Sequence, residues 1–438
     1  MTHIYKFGER NVVLDCNSGA IHACNDVASS IIALRERHDA HRTLTLTLEQ
    51  FPGADPSELA EILAEVESLA ASGLLYAPEP DAVKLAPDGS GVVKALCLNV
   101  SHACNLTCEY CFAHQATDED SLMSVDVGVA AIDFLIRNSG TRRNLEVDFF
   151  GGEPLLNLDV VKRVVAYARE AERNRGKNFR FTLTTNGLLL DDAFAEFANA
   201  ELANVVLSLD GRREVHDRFR CGSYDAVAPK IQRFVEARGA RQYYIRGTFT
   251  RANTDFTEDL LHMRSLGLRK LSMEPVVCGD SAPYALRECD VPSVVAEYER
   301  LVSLLDGADW DFYHYNLDLE NGPCLKKRVT GCGSGTEYLA VTPDGALYPC
   351  HQFVGDPEYA MGNVFDGVTR PELRDRFACR NVLTLPDCAE CWARLWCAGG
   401  CAANSLHASG DIEGSYTLGC TLFKKRLECA IALKLATA

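Results

Sequence analysis

Three cysteines at short intervals constrain this chain more than any other feature of its sequence. Cys104, Cys108 and Cys111 form a C-x3-C-x2-C run directly after a predicted strand at residues 95–100. Three thiolates on one loop can hold a cubane iron–sulfur cluster, although four irons normally take four cysteine ligands. The missing ligand would leave one iron open to a substrate, whereas structural zinc sites are closed and four-coordinate. An incomplete zinc knuckle is the alternative.

The remaining cysteines require an explanation of the same kind. The chain has 438 residues and 19 cysteines, and its start lacks the basic and apolar pattern of a signal peptide. We therefore expect a cytoplasmic protein, in which disulfides are rare and cysteines serve as core thiols or metal ligands. The formal net charge of −17 disfavours nucleic acid as a partner. No apolar run approaches the length of a membrane span.

Periodicity divides the chain into three predicted segments and indicates an α/β fold. Residues 1–90 begin with a strand, a turn at Asn17-Ser18-Gly19 and a second strand, and continue with helical patterns, which suggests a winged-helix-like unit. Residues 93–310 alternate six strands with helices, as in a partial (β/α)6 barrel, and polar motifs follow the strands. Residues 311–438 are loop-rich and hold ten cysteines from position 324 onward, which predicts stabilisation by metal.

Two further features join the first thiol run. Tyr110 precedes the last cysteine, and Gly151-Gly152-Glu153-Pro154 follows the second predicted strand of the barrel. Together these motifs resemble the radical S-adenosylmethionine (radical SAM) enzymes. The resemblance implies that the open iron binds the amino and carboxylate groups of S-adenosylmethionine, and that one electron then releases a 5′-deoxyadenosyl radical. The cofactor contacts that it implies are Tyr110, Gly151, Gly152, Glu153, Asn186, Ser208, Asp210 and Arg246. For Arg246, an ion-paired barrel residue is the alternative.

The C-terminal cysteines form a second array with ordered gaps. Cys332-x12-Gly345-x4-Cys350 is followed by Cys388, Cys391, Cys397, Cys401 and Cys420. Two zinc sites are one explanation, but the array resembles the SPASM domain, which carries two auxiliary [4Fe-4S] clusters. The resemblance implies one cluster on Cys388, Cys391, Cys397 and Cys420 and another on Cys332, Cys350 and Cys401, hence three [4Fe-4S] clusters in all. If Cys324 does not complete the latter set, one iron is open to a substrate thiolate.

Short motifs near both ends of the chain indicate which group of SPASM enzymes it resembles. Residues 11–15 and 17–19, together with residues 331–333 and 349–355, are similar to the maturases of the six-cysteine "SCIFF" peptides. That similarity implies thioether crosslinks from a Cys sulfur to a carbon of an acceptor such as Thr, in a ribosomally made, Cys-rich precursor peptide. Residues 1–90 would bind the leader of that peptide as an added strand. A one-electron reductant such as flavodoxin or ferredoxin would be the second partner.

Three other functions remain open at this point. An anaerobic sulfatase-maturating enzyme, which oxidises Cys or Ser to formylglycine, would share the barrel and both cysteine arrays. A quinohaemoprotein-type thioether maturase fits the clusters equally well. A non-enzymatic zinc or electron-transfer scaffold is the third. Residues 218–223, which include Arg218 and Arg220, follow Asp210-Gly211 after a shorter loop than the resemblance leads us to expect, so the sequence leaves open whether these arginines contact the cofactor. Cys97 is predicted to be a core thiol.

Overall fold

An antiparallel sheet covered by helices opens the chain. The computed structural model describes residues 1–79, 91–113, 121–279, 281–317 and 325–437. The first elements are β1 (Thr2–Phe7), β2 (Arg10–Asp15), β3 (Ile21–Cys24), α1 (Asp26–Arg35), α2 (Ala40–Gln50) and α3 (Pro56–Ala71). The sheet order is β1-β2-β3. Asp15 closes the β2–β3 turn by accepting the Ser18 N–H at 2.8 Å, and Gly19 takes a φ of +80° there.

Helix α2 is the element of this unit that periodicity does not predict. Its sequence alternates Thr and Leu between Thr43 and Thr47, which is the period of a strand. The helix forms nevertheless, because Asp39 caps its first turn by accepting the Arg42 N–H at 2.8 Å. Thr43 and Thr47 are both fully buried, and the Thr47 hydroxyl bonds back to the Thr43 carbonyl.

A second sheet of eleven strands forms the body of the molecule. Its parallel strands are β4 (Ala95–Ser101), β5 (Asn144–Gly151), β6 (Asn178–Thr185), β7 (Asn204–Ser208), β8 (Gln242–Phe249) and β9 (Lys270–Pro275). They lie in sequence order, so each is paired with its neighbour along the chain. The six strands predicted for residues 93–310 are thereby confirmed. Buried aliphatic and aromatic side chains such as Leu98, Phe149 and Phe181 form the core beneath them.

Helices connect these strands and cover the outer face of the sheet. They are α4 (Val125–Asn138), α5 (Leu158–Arg175), α6 (Asp192–Glu201), α7 (Arg213–Phe219), α8 (Tyr224–Arg238), α9 (Phe256–Ser265) and α10 (Val291–Leu305). Helix α4 begins at Ser124, whose side chain accepts the Val127 N–H, and α5 ends at Gly176 in a left-handed conformation. This alternation confirms an α/β fold with a partial barrel.

The C-terminal segment extends the same sheet. Its strands are β10 (Asp311–Phe312), β11 (Tyr338–Val341), β12 (Ala346–Tyr348), β13 (Gly362–Asn363) and β14 (Gly367–Val368). Strand β11 pairs in parallel with β4, Tyr338 opposite Ala95, while β10 joins the other edge beside β9. An ion pair between Lys94 and Glu337 at 2.5 Å lies next to the β4–β11 contact. The residues from 311 onward therefore share a sheet with the barrel.

Short helices and turns fill the rest of this segment. The helices are α11 (Leu325–Thr330), α12 (Pro371–Cys379), α13 (Arg394–Cys397), α14 (Ala402–Ser409) and α15 (Thr417–Thr437). Single 3-10 turns occur at Pro154–Asn157, Glu288–Asp290, Tyr313–Tyr315, His351–Phe353, Pro357–Tyr359 and Pro386–Cys388. In the described ranges, no helix combines the length and apolarity needed to cross a bilayer.

Candidate active site

The cysteines of the first run lie on the loop after β4, at the carboxyl end of the parallel sheet. Cys104, Cys108 and Cys111 line a cavity of about 1100 Å³. Burial is the main cause that raises the pKa of Cys108, to about 12, and the nearby thiols of Cys111 and Cys104 raise it further. The three sulfurs are thus electrostatic neighbours facing one space, as ligands of a single cluster must be.

The glycine motif lets the end of β5 lie against this loop. A Cβ on Gly151 would lie 2.1 Å from the Ser101 carbonyl oxygen, and one on Gly152 would lie 2.3 Å from that of Ala103. The Gly152 and Glu153 N–H groups donate to these two carbonyls at 2.7 and 2.9 Å. Both glycines also line the cavity. Their first role is therefore to admit the thiol-bearing loop, in addition to the predicted approach of a ligand.

Glu153 lies behind the cavity wall instead of in it. Its Oε1 accepts the Leu155 N–H at 3.0 Å and the Thr185 hydroxyl at 2.8 Å, and its Oε2 accepts the Asn186 N–H at 2.8 Å. Burial raises the pKa of this carboxyl to about 7. Asn186 itself lines the cavity and donates its Nδ2 to Asn105 at 2.7 Å. Glu153 is accordingly a positioning residue for Asn186.

The carboxylate oxygens of Asp210 are likewise occupied by hydrogen bonds and an ion pair from other groups of the protein. Its carboxylate pairs with Arg220, accepts the Tyr110 hydroxyl at 2.5 Å and accepts the Thr248 N–H at 3.0 Å. Asp210 is fully buried, whereas Arg220 and Tyr110 line the cavity. Arg220, whose role the sequence leaves open, is thus at the site. Its guanidinium lowers the pKa of Cys108, against the larger effect of burial.

A polar group of side chains closes the barrel end of the cavity. Ser208 and Arg246 lie opposite each other on β7 and β8, and both line the cavity. Glu274, at the end of β9, faces the same space and pairs with Arg426 of α15 at 3.3 Å. Burial opposes ionisation of Glu274, but His314, Arg426 and Arg246 together lower its pKa. Glu274 and Arg426 are not predicted from the sequence, since no motif marks them.

The C-terminal thiols fall into two neighbouring sets. Burial raises the pKa of Cys397 to about 11, and Cys420, Cys388 and Cys391 contribute to the rise. Burial also raises the pKa of Cys350 well above its usual value, with contributions from Cys401 and Cys332. These neighbours agree with the two ligand groups that the sequence resemblance implies, and the ligand assignment stays a prediction. Five of the seven thiols line the large cavity: Cys388, Cys391, Cys397, Cys401 and Cys420.

Two polar side chains lie among these thiols, Gln352 within one set and Arg380 between the two. Gln352 donates its backbone N–H to Cys350 Sγ at 3.4 Å and its Nε2 to Cys401 Sγ at 3.9 Å. Arg380 lies among thiols of both sets and donates to the Gly399 carbonyl at 2.9 Å. Burial lowers the pKa of Arg380, whereas Cys401 and the other thiols nearby raise it. A cation between two anionic clusters would offset part of their charge.

The donor chemistry fits iron–sulfur clusters. Each set consists of thiols alone, which are the usual ligands of [4Fe-4S] clusters. In the part of the chain that the structure describes, no three His, Cys, Asp or Glu side chains are arranged to hold a single metal ion. Cys324, the possible fourth ligand beside Cys332, lies outside the described residues.

Comparison with known proteins agrees with this geometry. Residues 98–259 match the model of the Radical SAM superfamily. The radical SAM cyclopropyl synthase TigE of Paramaledivibacter caminithermalis is 22% identical over 76% of this chain and 72% of its own length. A cysteine-type anaerobic sulfatase-maturating enzyme of Clostridium perfringens is 26% identical over 75% of this chain and 94% of its own length.

Solved structures share the fold. Native anSMEcpe with bound AdoMet aligns with a TM-score of 0.64 and 21% identity, covering 79% of this chain and 99% of its own. Streptococcus suis SuiB bound to the precursor peptide SuiA aligns with a TM-score of 0.52 and 15% identity, covering 94% of this chain and 98% of its own. The match of residues 98–259 shows that the chain carries a radical SAM domain and confirms the resemblance of its first motifs. A domain of this kind implies S-adenosylmethionine and a [4Fe-4S] cluster.

Proposed function

We propose that this chain, which carries a radical SAM domain, forms thioether crosslinks in a ribosomally made, Cys-rich precursor peptide. The acceptor is a carbon of a residue such as Thr, and the donor is a peptide Cys. Cys104, Cys108 and Cys111 would hold the cluster that binds S-adenosylmethionine. Bound there, S-adenosylmethionine supplies a radical able to remove hydrogen from an unactivated carbon. Three [4Fe-4S] clusters and a one-electron reductant such as flavodoxin or ferredoxin belong to this proposal.

The N-terminal sheet is the observation that carries the peptide part of the proposal. Strand β1 lies beside α15, where Tyr5 and His3 both contact Glu428. Strand β3 is the opposite edge of that sheet, and no described residue gives its outer edge a backbone hydrogen bond. An open edge of this kind accepts a peptide as an added strand. The alignment with SuiB, a structure that contains a precursor peptide, extends over nearly the whole chain.

The cavity residues have separate roles in this proposal. Arg246 and Ser208 present a guanidinium and a hydroxyl on adjacent strands, which suits the carboxylate of S-adenosylmethionine. Asn186 and Tyr110 are held by Glu153 and Asp210 and would fix the rest of the cofactor. Cys332, Cys350 and Cys401 would hold an auxiliary cluster, and Cys388, Cys391, Cys397 and Cys420 another. If the former has an open iron, it would hold the peptide thiolate beside the acceptor carbon.

Sulfatase maturation is the second candidate. The observation in its favour is the Clostridium perfringens relative, whose own length is 94% covered by the alignment. Such an enzyme would convert a Cys or Ser of a sulfatase to formylglycine. It would have no need of an open edge strand for a leader. The two candidates therefore differ in product and in the contribution of residues 1–79.

The test begins with a short, Cys-rich peptide encoded beside the gene. Anaerobically reconstituted protein is incubated with that peptide, S-adenosylmethionine and dithionite. We expect each crosslink to cost the peptide two hydrogens and to protect one Cys from alkylation, with 5′-deoxyadenosine released. A sulfatase peptide that instead gains an aldehyde reactive to hydrazide would establish the second candidate. If neither product forms and S-adenosylmethionine is not cleaved, both enzymatic candidates fail and the non-enzymatic metal or electron-transfer scaffold remains.

A triple variant supplies the control. Replacement of all three thiols by Ala should abolish release of 5′-deoxyadenosine; these are Cys104, Cys108 and Cys111. About eight of about 12 irons should remain, because the auxiliary clusters have their own ligands. Cofactor cleavage that persisted in this variant would contradict the assignment of the first cluster. Zinc in the C-terminal sites would contradict the auxiliary clusters.

A further inference from the structure

The N-terminal sheet is covered on both faces at its central strand. In β2, every residue from Asn11 to Asp15 is buried. Val13 packs against the helices of the same unit, with Ile31 and Leu59. Val12 and Leu14 point the opposite way and pack with Ala393, Leu427 and Ile431 of the C-terminal segment. Since successive strand residues face opposite sides, the sheet is a layer between its own helices and that segment.

The second face meets the stretch between two thiols of one set. The imidazole of His3 stacks on the indole of Trp392, with ring centroids 3.6 Å apart and planes 3° from parallel. Trp392 follows Cys391 directly. In the β2–β3 turn, a Cβ on Gly19 would lie 3.7 Å from Trp396, which precedes Cys397. The sheet therefore contacts the side chain next to each of these two ligands.

The same sheet is attached to the element that bears the fourth thiol of the set. His3 pairs with Glu428 of α15 at 2.8 Å, and the Tyr5 hydroxyl donates to the Glu428 carbonyl at 2.9 Å. Helix α15 begins at Thr417 and includes Cys420. Just after the sheet and its helices, Glu79 pairs with the buried Arg394 at 2.9 Å. Contacts from residues 1–79 thus reach both parts of the chain that carry these thiols.

We infer that His3 and the sheet that bears it position the segment from Cys388 to Cys397, so that occupancy of the β3 edge is coupled to the cluster held by Cys388, Cys391, Cys397 and Cys420. This inference rests on the proposed function, which supplies both the cluster and the peptide at β3. A small sheet gains order when a further strand is added to it. No other layer separates β2 from Ala393, so a change in the sheet acts directly on the ligand segment. Coupling of this kind is reciprocal between the two sites.

The experiment measures the clusters by redox titration followed by EPR, with and without the leader half of the precursor peptide. In the unaltered protein, we expect the leader alone to shift the midpoint potential of one cluster. His3→Ala should lose that shift while retaining leader affinity, and His3→Phe should restore it in part because it keeps the stacked ring. His38→Ala, an exposed histidine of the same unit, is the matched control and should behave as the unaltered protein.

Each outcome separates this inference from the proposed function. A leader that binds without shifting any potential overturns the coupling and leaves the proposed function intact. A leader that does not bind at all overturns the proposed function. Loss of about four irons in His3→Ala would support the positioning role, and His3→Phe would then be used for the titration. An unaltered iron content and an unaltered shift in His3→Ala would remove His3 from this role.

Discussion

Arg220 and Asp210 form a buried, two-point ion pair at the edge of the thiol loop. Arg220 Nε lies 2.9 Å from Asp210 Oδ2, and Nη2 lies 3.2 Å from Oδ1. Tyr110, one residue before Cys111, donates its hydroxyl to the same carboxylate. The pair therefore joins the thiol loop, the end of β7 and the segment after α7. It holds a cation beside Cys108, where a thiolate ligand must form.

The first prediction concerns that pair. Arg220→Ala should lower the free energy of unfolding by about 3–5 kcal/mol, because it leaves the Asp210 carboxylate buried without its partner. Arg220→Lys should recover part of the loss, since it keeps the charge and gives up the two-point geometry. Melting temperature and retention of the first cluster are the measurements. Arg218→Ala, an exposed neighbour, should change stability by less than about 0.5 kcal/mol. Equal melting temperatures for Arg220→Ala and Arg218→Ala would contradict the role of the pair.

A second prediction follows from the close contact at Gly152. Gly152→Ala would place a Cβ 2.3 Å from the Ala103 carbonyl and 2.6 Å from that of His102, so the thiol loop must shift. We expect the reconstituted variant to lack about four irons, those of the first cluster. Gly53→Ala is the control, since a Cβ there meets nothing within 4 Å. A full iron content with unaltered cofactor cleavage in Gly152→Ala would show that the loop tolerates the shift.

The third prediction is a dependence of stability on pH. Burial raises the pKa of Glu153 from 4.5 to about 7, so the folded state binds its proton more tightly than the unfolded chain does. Stability should therefore be fully retained below about pH 4.5 and should fall by about 3 kcal/mol as the pH rises to about 7. The amide in Glu153→Gln cannot titrate, so this variant should lack the fall in stability with rising pH. Any loss of stability caused by the substitution itself should be the same at every pH. Melting temperatures between pH 5 and 7.5 test this.

The comparison variant for that titration is Glu196→Gln, an exposed glutamate of α6. It should keep the slope of the unaltered protein. A difference between Glu153→Gln and the unaltered protein that stays constant across the range would show that the carboxyl of Glu153 does not titrate there.

A fourth prediction addresses the auxiliary cluster with three clear ligands. If Cys332, Cys350 and Cys401 leave one iron open, Cys324→Ala should keep about 12 irons and should still crosslink the peptide. Cys350→Ala, which removes a clear ligand, should lose about four irons under the same conditions. Iron analysis and the mass of the peptide product are the measurements. A loss in Cys324→Ala equal to that in Cys350→Ala would show that Cys324 closes the cluster.

The parallel strands and the thiol loop could be predicted because their signals are local. Apolar periodicity located β4 to β9 within about two residues of their ends, and a motif follows each of four strands in the chain. The spacing of Cys104, Cys108 and Cys111 is likewise a property of one loop. In each case the relevant residues are close in sequence or repeat with a fixed period.

The sequence by itself therefore determined the six parallel strands, the thiol loop and the radical SAM motifs that follow the strands. Only the tertiary structure decided which side chains face the cavity. In the folded chain, Glu153 and Asp210 face away from the cavity and Arg220 lies at its edge. The ring of His3 stacks on that of Trp392. Such contacts join residues far apart in the chain, and they depend on which strands pair and which faces are covered. The sequence pattern of a strand such as β2 indicates that both of its faces are apolar. The pattern does not indicate which elements cover those faces.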